Sequence, residues 1–410
     1  MAEAADSKRR FGHISVAGIF FQGGAAAVDT RTIVAALVHG LTHSVFAVGA
    51  AAAIAGFGWL LPQLFVAYYA QQRTRRLRFY VVGAFGRVAC LAALAAILWL
   101  VADPTGASSV VAFFAIWTVF AFVSGVVAVP YNDIVASSIP SAQRSRMLAL
   151  RFFGGGLLAL AVAAAAHWIL QALAFPGGYA ALLLLGAVLL FISAVSFVSA
   201  GEPAAPAAPP VAAGFPAFLR GGLDTFRGDR CFRLFVAAQW LGGAAAMALP
   251  FYILQANSSA ADVAFLLGAQ TTGALLSNPL WGWWGDQRGK QSLLEAAAAL
   301  GVLAPLFTLA WIAGGARWGE AALPYFALVF FLLGAGGNGS TIAQLGYLME
   351  ISPDDRRPAY SGYFNAWVAP AALLPMAGAV LAQAGSFAAA ALQFLTVRHL
   401  RAVPIGAAAR

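Results

Sequence analysis

Apolar stretches long enough to cross a membrane recur along almost the whole chain of 410 residues. A helix needs about 20 apolar residues to cross a hydrocarbon core of about 30 Å. Short connections with turn residues, such as Asp103-Pro104-Thr105-Gly106, separate the stretches. The predicted spans are 12–37, 44–70, 78–101, 109–136, 147–173, 178–199, 232–256, 260–284, 291–313, 323–349, 359–382 and 385–400. The sequence therefore predicts an all-α polytopic membrane protein with twelve transmembrane helices.

The composition excludes the main classes of soluble protein. Hydrophobic residues make up 61% of the chain and charged residues only 10%, whereas about 25% of residues are charged in an average soluble domain. So few charges cannot cover the surface of a soluble enzyme or a nucleic-acid-binding protein. The two cysteines, Cys90 and Cys231, belong to no CxxC or Cys/His pattern, so the sequence predicts neither a metal nor a cofactor.

The basic residues predict the orientation of the chain in the bilayer. With the N-terminus inside, 20 of the 24 Lys and Arg residues fall in cytoplasmic segments, and only Arg317 falls in an outer loop. Cytoplasmic loops of membrane proteins carry such an excess of positive charge. We therefore expect an integral protein of a bacterial inner (plasma) membrane with both termini in the cytoplasm. The net charge of +9 then indicates orientation and no nucleic-acid partner.

One long connection divides the spans into two sets of six. Residues 200–231 begin with a Pro/Ala-rich linker and end with aromatic residues among basic ones, including Phe215, Phe218 and Phe226. The second part predicts a short helix on the inner membrane surface, and a plain linker is the alternative. The predicted domains are two six-helix bundles, 1–199 and 232–410, joined by a cytoplasmic linker.

The two halves repeat each other weakly. The loop around Gln71 aligns with the loop around Asp286, and Pro140 aligns with Pro353, at offsets of about 215 and 213 residues. Both matches lie at equivalent places in the predicted topology. Secondary transporters are commonly built from such repeats, so we expect the two bundles to be pseudo-symmetric.

The loop between spans 8 and 9, Gly282-x-x-x-Asp286-x-x-Gly289-Lys290, resembles the G-x-x-x-D-x-x-G-R/K motif of the major facilitator superfamily. The resemblance covers essentially the whole chain and implies two bundles that rock about a central site. It also implies a gate, because an acid here can meet helix N-terminal amides or an arginine in one state only. Helix capping alone is the alternative. The expected gating residues of this loop are Gly282, Asp286, Arg288, Gly289 and Lys290. The first half departs from the motif, since Gln71 stands where the acid belongs.

Polar residues inside four of the spans predict a substrate site. Spans 1, 4, 7 and 10 line the central cavity in the resembled family. The helical rise places the polar residues of these spans about 9–16 Å from the inner edge of the membrane. Amides both donate and accept hydrogen bonds, which suits a neutral or zwitterionic ligand, whereas bonding between helices is the alternative. The expected band consists of Gln22, Tyr131, Gln239 and Asn338, flanked by Ser340 and Gln344.

Charged residues inside predicted spans are functional candidates, because a charge near the bilayer centre costs ~2.5–3.5 kcal/mol on insertion scales. We assign Asp29 and Arg31 to the cavity and expect Asp29 to bind a proton or a substrate amine. An outer gate or a structural ion pair is the alternative. Asp133 and Arg151 have similar depths, which predicts an ion pair at the cytoplasmic gate. Arg87 is either a structural charge bonded to carbonyls or an anion-binding residue.

These features predict a monomeric secondary transporter of a small organic solute, coupled to protons through Asp29. The chain contains no G-x-x-x-x-G-K-[ST] motif, so a gradient must supply the energy. We expect no enzyme and no catalytic residue, because no catalytic cluster occurs at matched depth. The alternatives are an uncoupled facilitator or an anion exchanger using Arg31 and Arg87, and a non-transporting scaffold or assembly factor of the same fold.

Overall fold

The computed structural model describes residues 2–71, 75–101, 103–139, 141–203, 214–247, 252–255, 259–314, 321–352 and 357–383, and every regular element within them is helical. The predicted span 385–400 lies outside the described residues. The helices are α1 (Ala2–Ala27), α2 (Ile33–Thr42), α3 (Val45–Gln71), α4 (Leu77–Leu100), α5 (Ala107–Ser138), α6 (Ser141–Ala172), α7 (Gly177–Ala200), α8 (Phe215–Gly228), α9 (Arg230–Ala246), α10 (Tyr252–Gln255), α11 (Ala260–Gln287), α12 (Gly289–Gly314), α13 (Ala322–Ile351), α14 (Arg357–Val368) and α15 (Leu374–Gln383), with a 3-10 turn at Ala369–Leu373.

Eight helical segments are long and apolar enough to cross a membrane. They are Val45–Tyr69, Leu77–Leu100, Ala107–Val135, Leu150–Ala172, Gly177–Ala200, Gly289–Trp311, Ala322–Leu348 and Tyr360–Val380. Each coincides with a predicted span to within a few residues at either end. Large apolar side chains on these segments are exposed, among them Leu100 at 83% and Trp168 at 70%. Helices that are apolar on their outer faces as well suit a lipid surround.

The first predicted span is interrupted. We expected one helix over 12–37, but α1 ends at Ala27 and α2 begins at Ile33. Thr32 has backbone angles outside the helical region (φ −122°, ψ −78°). Residues 28–32 read Val-Asp-Thr-Arg-Thr, and β-branched or short polar side chains of this kind disfavour the helix. Asp29 and Arg31 therefore lie in a non-helical break, so the depths assigned to them from helical rise do not apply.

By contacts between residues, the chain divides into two compact units. The first unit comprises residues 1–29 and 54–215. In it α1 packs against α6 and α7, and α4 packs against α5 and α7. Aromatic rings fill the space between these helices: Phe197 lies 4.2 Å from Tyr80 and 4.9 Å from Tyr131, measured between ring centroids.

The second unit comprises residues 30–53 and 216–410. In it α13 packs against α11 and α12, α9 packs against α14 and α15, and α2 packs against α11. One face of α2 is buried by Ile33, Val34, Ala35, Leu37, Val38 and Leu41. Residues 30–53 thus group with the C-terminal helices by contact, whereas the division predicted at the linker placed them in the first bundle.

The linker ends in a helix, α8. On this helix, the ring of Phe218 lies 5.0 Å from the ring of Tyr363, and the ring of Phe226 stacks on the ring of Trp367 at 4.2 Å, both measured between ring centroids. The Tyr363 hydroxyl also donates to the carbonyl of Phe218 at 2.9 Å. Two aromatic residues that we expected on the membrane surface are therefore covered by α14.

Candidate functional site

Glycines bring α1 close to α6 and so position two polar side chains in the first unit. A Cβ built on Gly18 would lie 2.6 Å from the Cγ of Arg151, and one built on Gly155 would lie 2.6 Å from the Cγ of Gln22. Only a residue without a side chain fits at such close contacts between helices. The stems of Arg151 and Gln22 are therefore held against the neighbouring helix, and both side chains are half-buried.

The guanidinium group of Arg151 faces aromatic residues. Its Nη1 donates to the hydroxyl of Tyr131 at 3.1 Å, and its central carbon lies 5.1 Å from the centre of the Tyr131 ring and 5.6 Å from that of Phe21. Such distances are typical of cation–π contacts. Arg151 and Tyr131 were both predicted to be functional, but for different sites, and the structure brings them together.

The predicted ion pair between Asp133 and Arg151 is wrong. Asp133 pairs instead with Arg76, which lies just before α4. Residues two apart on a helix point about 200° apart, so Asp133 faces away from Tyr131. Because Arg151 bonds to Tyr131, it lies on the opposite side of α5 from the Asp133 carboxylate. Arg76 was missed because it entered the sequence argument only as a charge that indicates orientation.

The start of α4 is fixed by a second acid that sequence analysis missed. Glu202, just after α7, accepts hydrogen bonds from the backbone N–H groups of Arg76 at 2.8 Å and Leu77 at 3.0 Å. A carboxylate is favourable at a helix N-terminus because it meets unpaired N–H groups and the positive end of the helix dipole. Glu202 and Asp133 together hold the segment that begins α4.

Arg87 is the most deeply buried charged residue among those that the structure describes in the first unit. Its side chain is 2% exposed, and its guanidinium carbon lies 5.0 Å from the centre of the Phe21 ring. Its buried Nε has no hydrogen-bond partner among the described residues. The same holds for the buried Nε of Arg151. Phe21 was not predicted as a site residue, since an apolar side chain in an apolar span carries no distinguishing signal.

In the second unit the predicted amides contact one another. Gln344 Nε2 on α13 donates to Gln239 Oε1 on α9 at 2.5 Å. Asn338 Nδ2 donates to Asn278 Oδ1 at 2.6 Å and to the carbonyl of Ala274 at 3.2 Å. Asn338 thus bonds to α11, which agrees with the alternative of hydrogen bonding between helices. Its partner Asn278 was not predicted. Ser340 is half-buried two residues further along α13.

The loop motif forms a turn between α11 and α12. Gly289 has φ +81°, a left-handed conformation that glycine adopts at little cost. Gly282 lies inside α11, and a Cβ built on it would meet nothing within 4 Å, so the turn does not require this glycine. Arg288 lies 4.8 Å over the ring of Trp284, and the stem of Lys290 packs on Gly346 of α13. The side chain of Asp286 lies outside the described part of the structure.

The break between α1 and α2 places Asp29 and Arg31 in different units. Both side chains are half-buried. Arg31 approaches α13, because its Nη1 would lie 3.4 Å from a Cβ built on Gly337. Arg31 thus lies beside the residue that precedes Asn338.

Comparisons with known proteins agree with this architecture. A sequence model of the MFS/sugar transport protein family matches residues 78–351. No curated protein matches the chain. The structure of the nucleoside transporter NupG matches with a TM-score of 0.73 and 11% identity, covering 96% of this chain and 99% of that one. A POT family transporter in complex with a thioalcohol-conjugated peptide matches with a TM-score of 0.74 and 10% identity, covering 96% and 94%. At such low identities these structures show similarity of fold alone.

Proposed function

Since the chain belongs to the MFS/sugar transport protein family, we propose that it moves a small organic solute across the membrane by alternating access. The proposal also includes twelve transmembrane helices in two six-helix bundles, both termini in the cytoplasm of a bacterial cell, and a monomeric state. The neighbours of similar fold are named as transporters of nucleosides and peptides, which are organic solutes.

The observation that carries the proposal is the hydrogen bond of 2.5 Å between Gln239 and Gln344. Paired amides on α9 and α13 are costly to place in a helical membrane protein unless they bond to each other or to a ligand. Both side chains are half-buried, so part of each remains accessible. An amide pair can exchange its mutual bond for bonds to a hydroxyl, amide or amine of a solute.

Proton coupling is the second part of the proposal, and it rests on Asp29. This is a half-buried acid in the non-helical break between α1 and α2. A carboxylate in such a place can exchange a proton as its surroundings change. Gain or loss of that proton would bias the chain toward one of its two access states.

Thiol labelling tests the proposal without knowledge of the substrate. Gln344→Cys is introduced into a chain whose two half-buried thiols are removed by Cys90→Ser and Cys231→Ser. A membrane-impermeant maleimide is applied from either side of oriented vesicles. We expect labelling from both sides, because a transport path is wet and only the thiolate reacts. The control is Leu276→Cys on α11, where a side chain 63% exposed should face lipid and stay unlabelled.

The outcomes separate the two parts of the proposal. If Gln344→Cys is labelled from neither side, the bundle is dry and the chain is a scaffold. An imposed pH step should change the ratio of labelling from the two sides by more than the change in thiolate fraction alone, and Asp29→Asn should remove this excess. If the ratio changes only as the thiolate fraction does, transport stands and proton coupling is ruled out.

A further inference from the structure

Two arginines from different helices lie over the same aromatic ring in the first unit. The guanidinium carbons of Arg87 on α4 and Arg151 on α6 are 5.0 Å and 5.6 Å from the centre of the Phe21 ring on α1. Two positive charges thus lie at one place among the helices of the first unit.

The carboxylates nearby do not neutralise this pair. Asp133 pairs with Arg76, and Glu202 binds the N-terminus of α4. Neither Arg87 nor Arg151 forms an ion pair with any residue in the described ranges of the chain. Arg151 has one hydrogen bond, to Tyr131, and the buried Nε atoms of both arginines have no partner among those residues.

Buried charges are normally paired or hydrogen-bonded, because an uncompensated charge in a protein interior is strongly unfavourable. Two like charges over one ring add their mutual repulsion to that cost. Such an arrangement persists when a ligand of opposite charge supplies the compensation. Cation–π contact with Phe21 and Tyr131 stabilises the arginines only partly while no ligand is bound.

We infer that Arg87 and Arg151 form a binding site for the anionic group of a small organic solute, a carboxylate or a phosphate. The planar donor forks of arginine match both groups, which can each accept two parallel hydrogen bonds. The ring of Phe21 and the half-buried amide of Gln22 provide apolar and polar contacts for the rest of the solute. This inference rests on the proposed function and narrows the solute to an organic anion.

Ligand-dependent thermal unfolding of the detergent-purified full chain tests the site. The probes are sodium succinate for a carboxylate and sodium phosphate for a phosphate, each compared with sodium chloride at equal ionic strength. We expect at least one probe to raise Tm by about 3 °C or more at saturation, because a ligand that binds only the folded state stabilises it. Arg87→Gln and Arg151→Gln should each abolish this rise, whereas Arg78→Gln, exposed on the same helix as Arg87, should keep it.

A second readout distinguishes a ligand site from a structural charge. Without either probe, Arg87→Gln should unfold at the same or a higher temperature than the natural chain, because it removes an uncompensated buried charge. If that variant fails to fold, Arg87→Lys keeps the charge without the fork and should show a several-fold weaker response to the probes.

Three results would overturn the inference. Succinate and phosphate could act no differently from chloride, their effect could persist in both glutamine variants, or Arg87→Gln could lower Tm sharply while Arg87→Lys responds normally. A response to one probe alone supports the site and identifies its chemistry. If Gln344→Cys is labelled but neither probe raises Tm, transport stands and an anionic solute is ruled out. If a probe raises Tm but Gln344→Cys is labelled from neither side, transport is ruled out and the anion-binding site stands.

Discussion

In the first unit two arginines between the helices have no ion-pair partner among the described residues, whereas in the second unit two pairs of amides between the helices are bonded to each other. Amides can satisfy each other in pairs, so these two pairs need no ligand. Guanidinium groups only donate, and among the described residues of the first unit only the hydroxyl of Tyr131 accepts from either arginine. We therefore expect a ligand to balance the charge of the two arginines, whereas the two amide pairs can do without one.

Two helix pairs, one in each unit, also pack in different ways. In the first unit a Cβ on Gly23 would meet the Cγ of Leu158 at 2.7 Å, the end of a flexible side chain. In the second, a Cβ on Gly334 would lie 1.8 Å from the carbonyl oxygen of Gln270. Helices α11 and α13 are therefore in backbone contact, whereas α1 and α6 are separated by side chains that can move.

The largest expected effect comes from alanine at these two glycines. Gly334→Ala should destabilise the chain by about 3 kcal/mol or prevent folding, because neither backbone can give way. Gly23→Ala should cost less than about 1 kcal/mol, since Leu158 can change rotamer and alanine favours the helix. Unfolding in detergent, followed by circular dichroism, measures both. Equal costs at the two positions would contradict the difference in packing.

The fold was largely predictable from hydropathy, because spans are set by a local property of the sequence. The eight membrane segments coincide with predicted spans, and the family suggested by the loop motif is confirmed by the family match. The break after Ala27 was missed because hydropathy averages over about 20 residues. Within such a window, five residues of Val-Asp-Thr-Arg-Thr hardly lower the mean.

For the candidate site, positions along the helices could be counted from the sequence, but the pairings between side chains could not. Depth along a helix placed Gln239 in the predicted polar band, with Gln344 beside that band. The direction in which a side chain points depends on tertiary packing, so Asp133 was matched with the wrong arginine. Glu202 and Phe21 act through neighbours that are far away in the sequence, which a single sequence does not reveal.

A smaller effect is expected at the helix N-termini, which the two units cap differently. Helix α4 is capped by the distant Glu202, and α11 is capped locally by Ser259 with Asp262. Glu202→Gln should cost about 2 kcal/mol, because it weakens two charge-assisted bonds that tie α7 to α4. Ser259→Ala should cost about 1 kcal/mol, the usual loss for an N-cap. Urea unfolding in detergent checks both, and a larger loss at Ser259 would show that the local cap is the stronger one.

The smallest effect is expected at the amide pair, and it tests whether Gln239 and Gln344 satisfy each other. Gln344→Leu alone should cost about 0.6 kcal/mol, the typical value for a bond between membrane helices, because it leaves Gln239 without its partner. Adding Gln239→Leu should recover most of that loss, since replacing both partners by apolar groups of similar shape is nearly neutral. A double-mutant cycle from unfolding in detergent gives the interaction directly. A double variant less stable than either single one would mean that the amides also hold other groups. Recovery would instead mean that stability does not require this pair, which leaves solute binding as the reason for two glutamines inside a membrane protein.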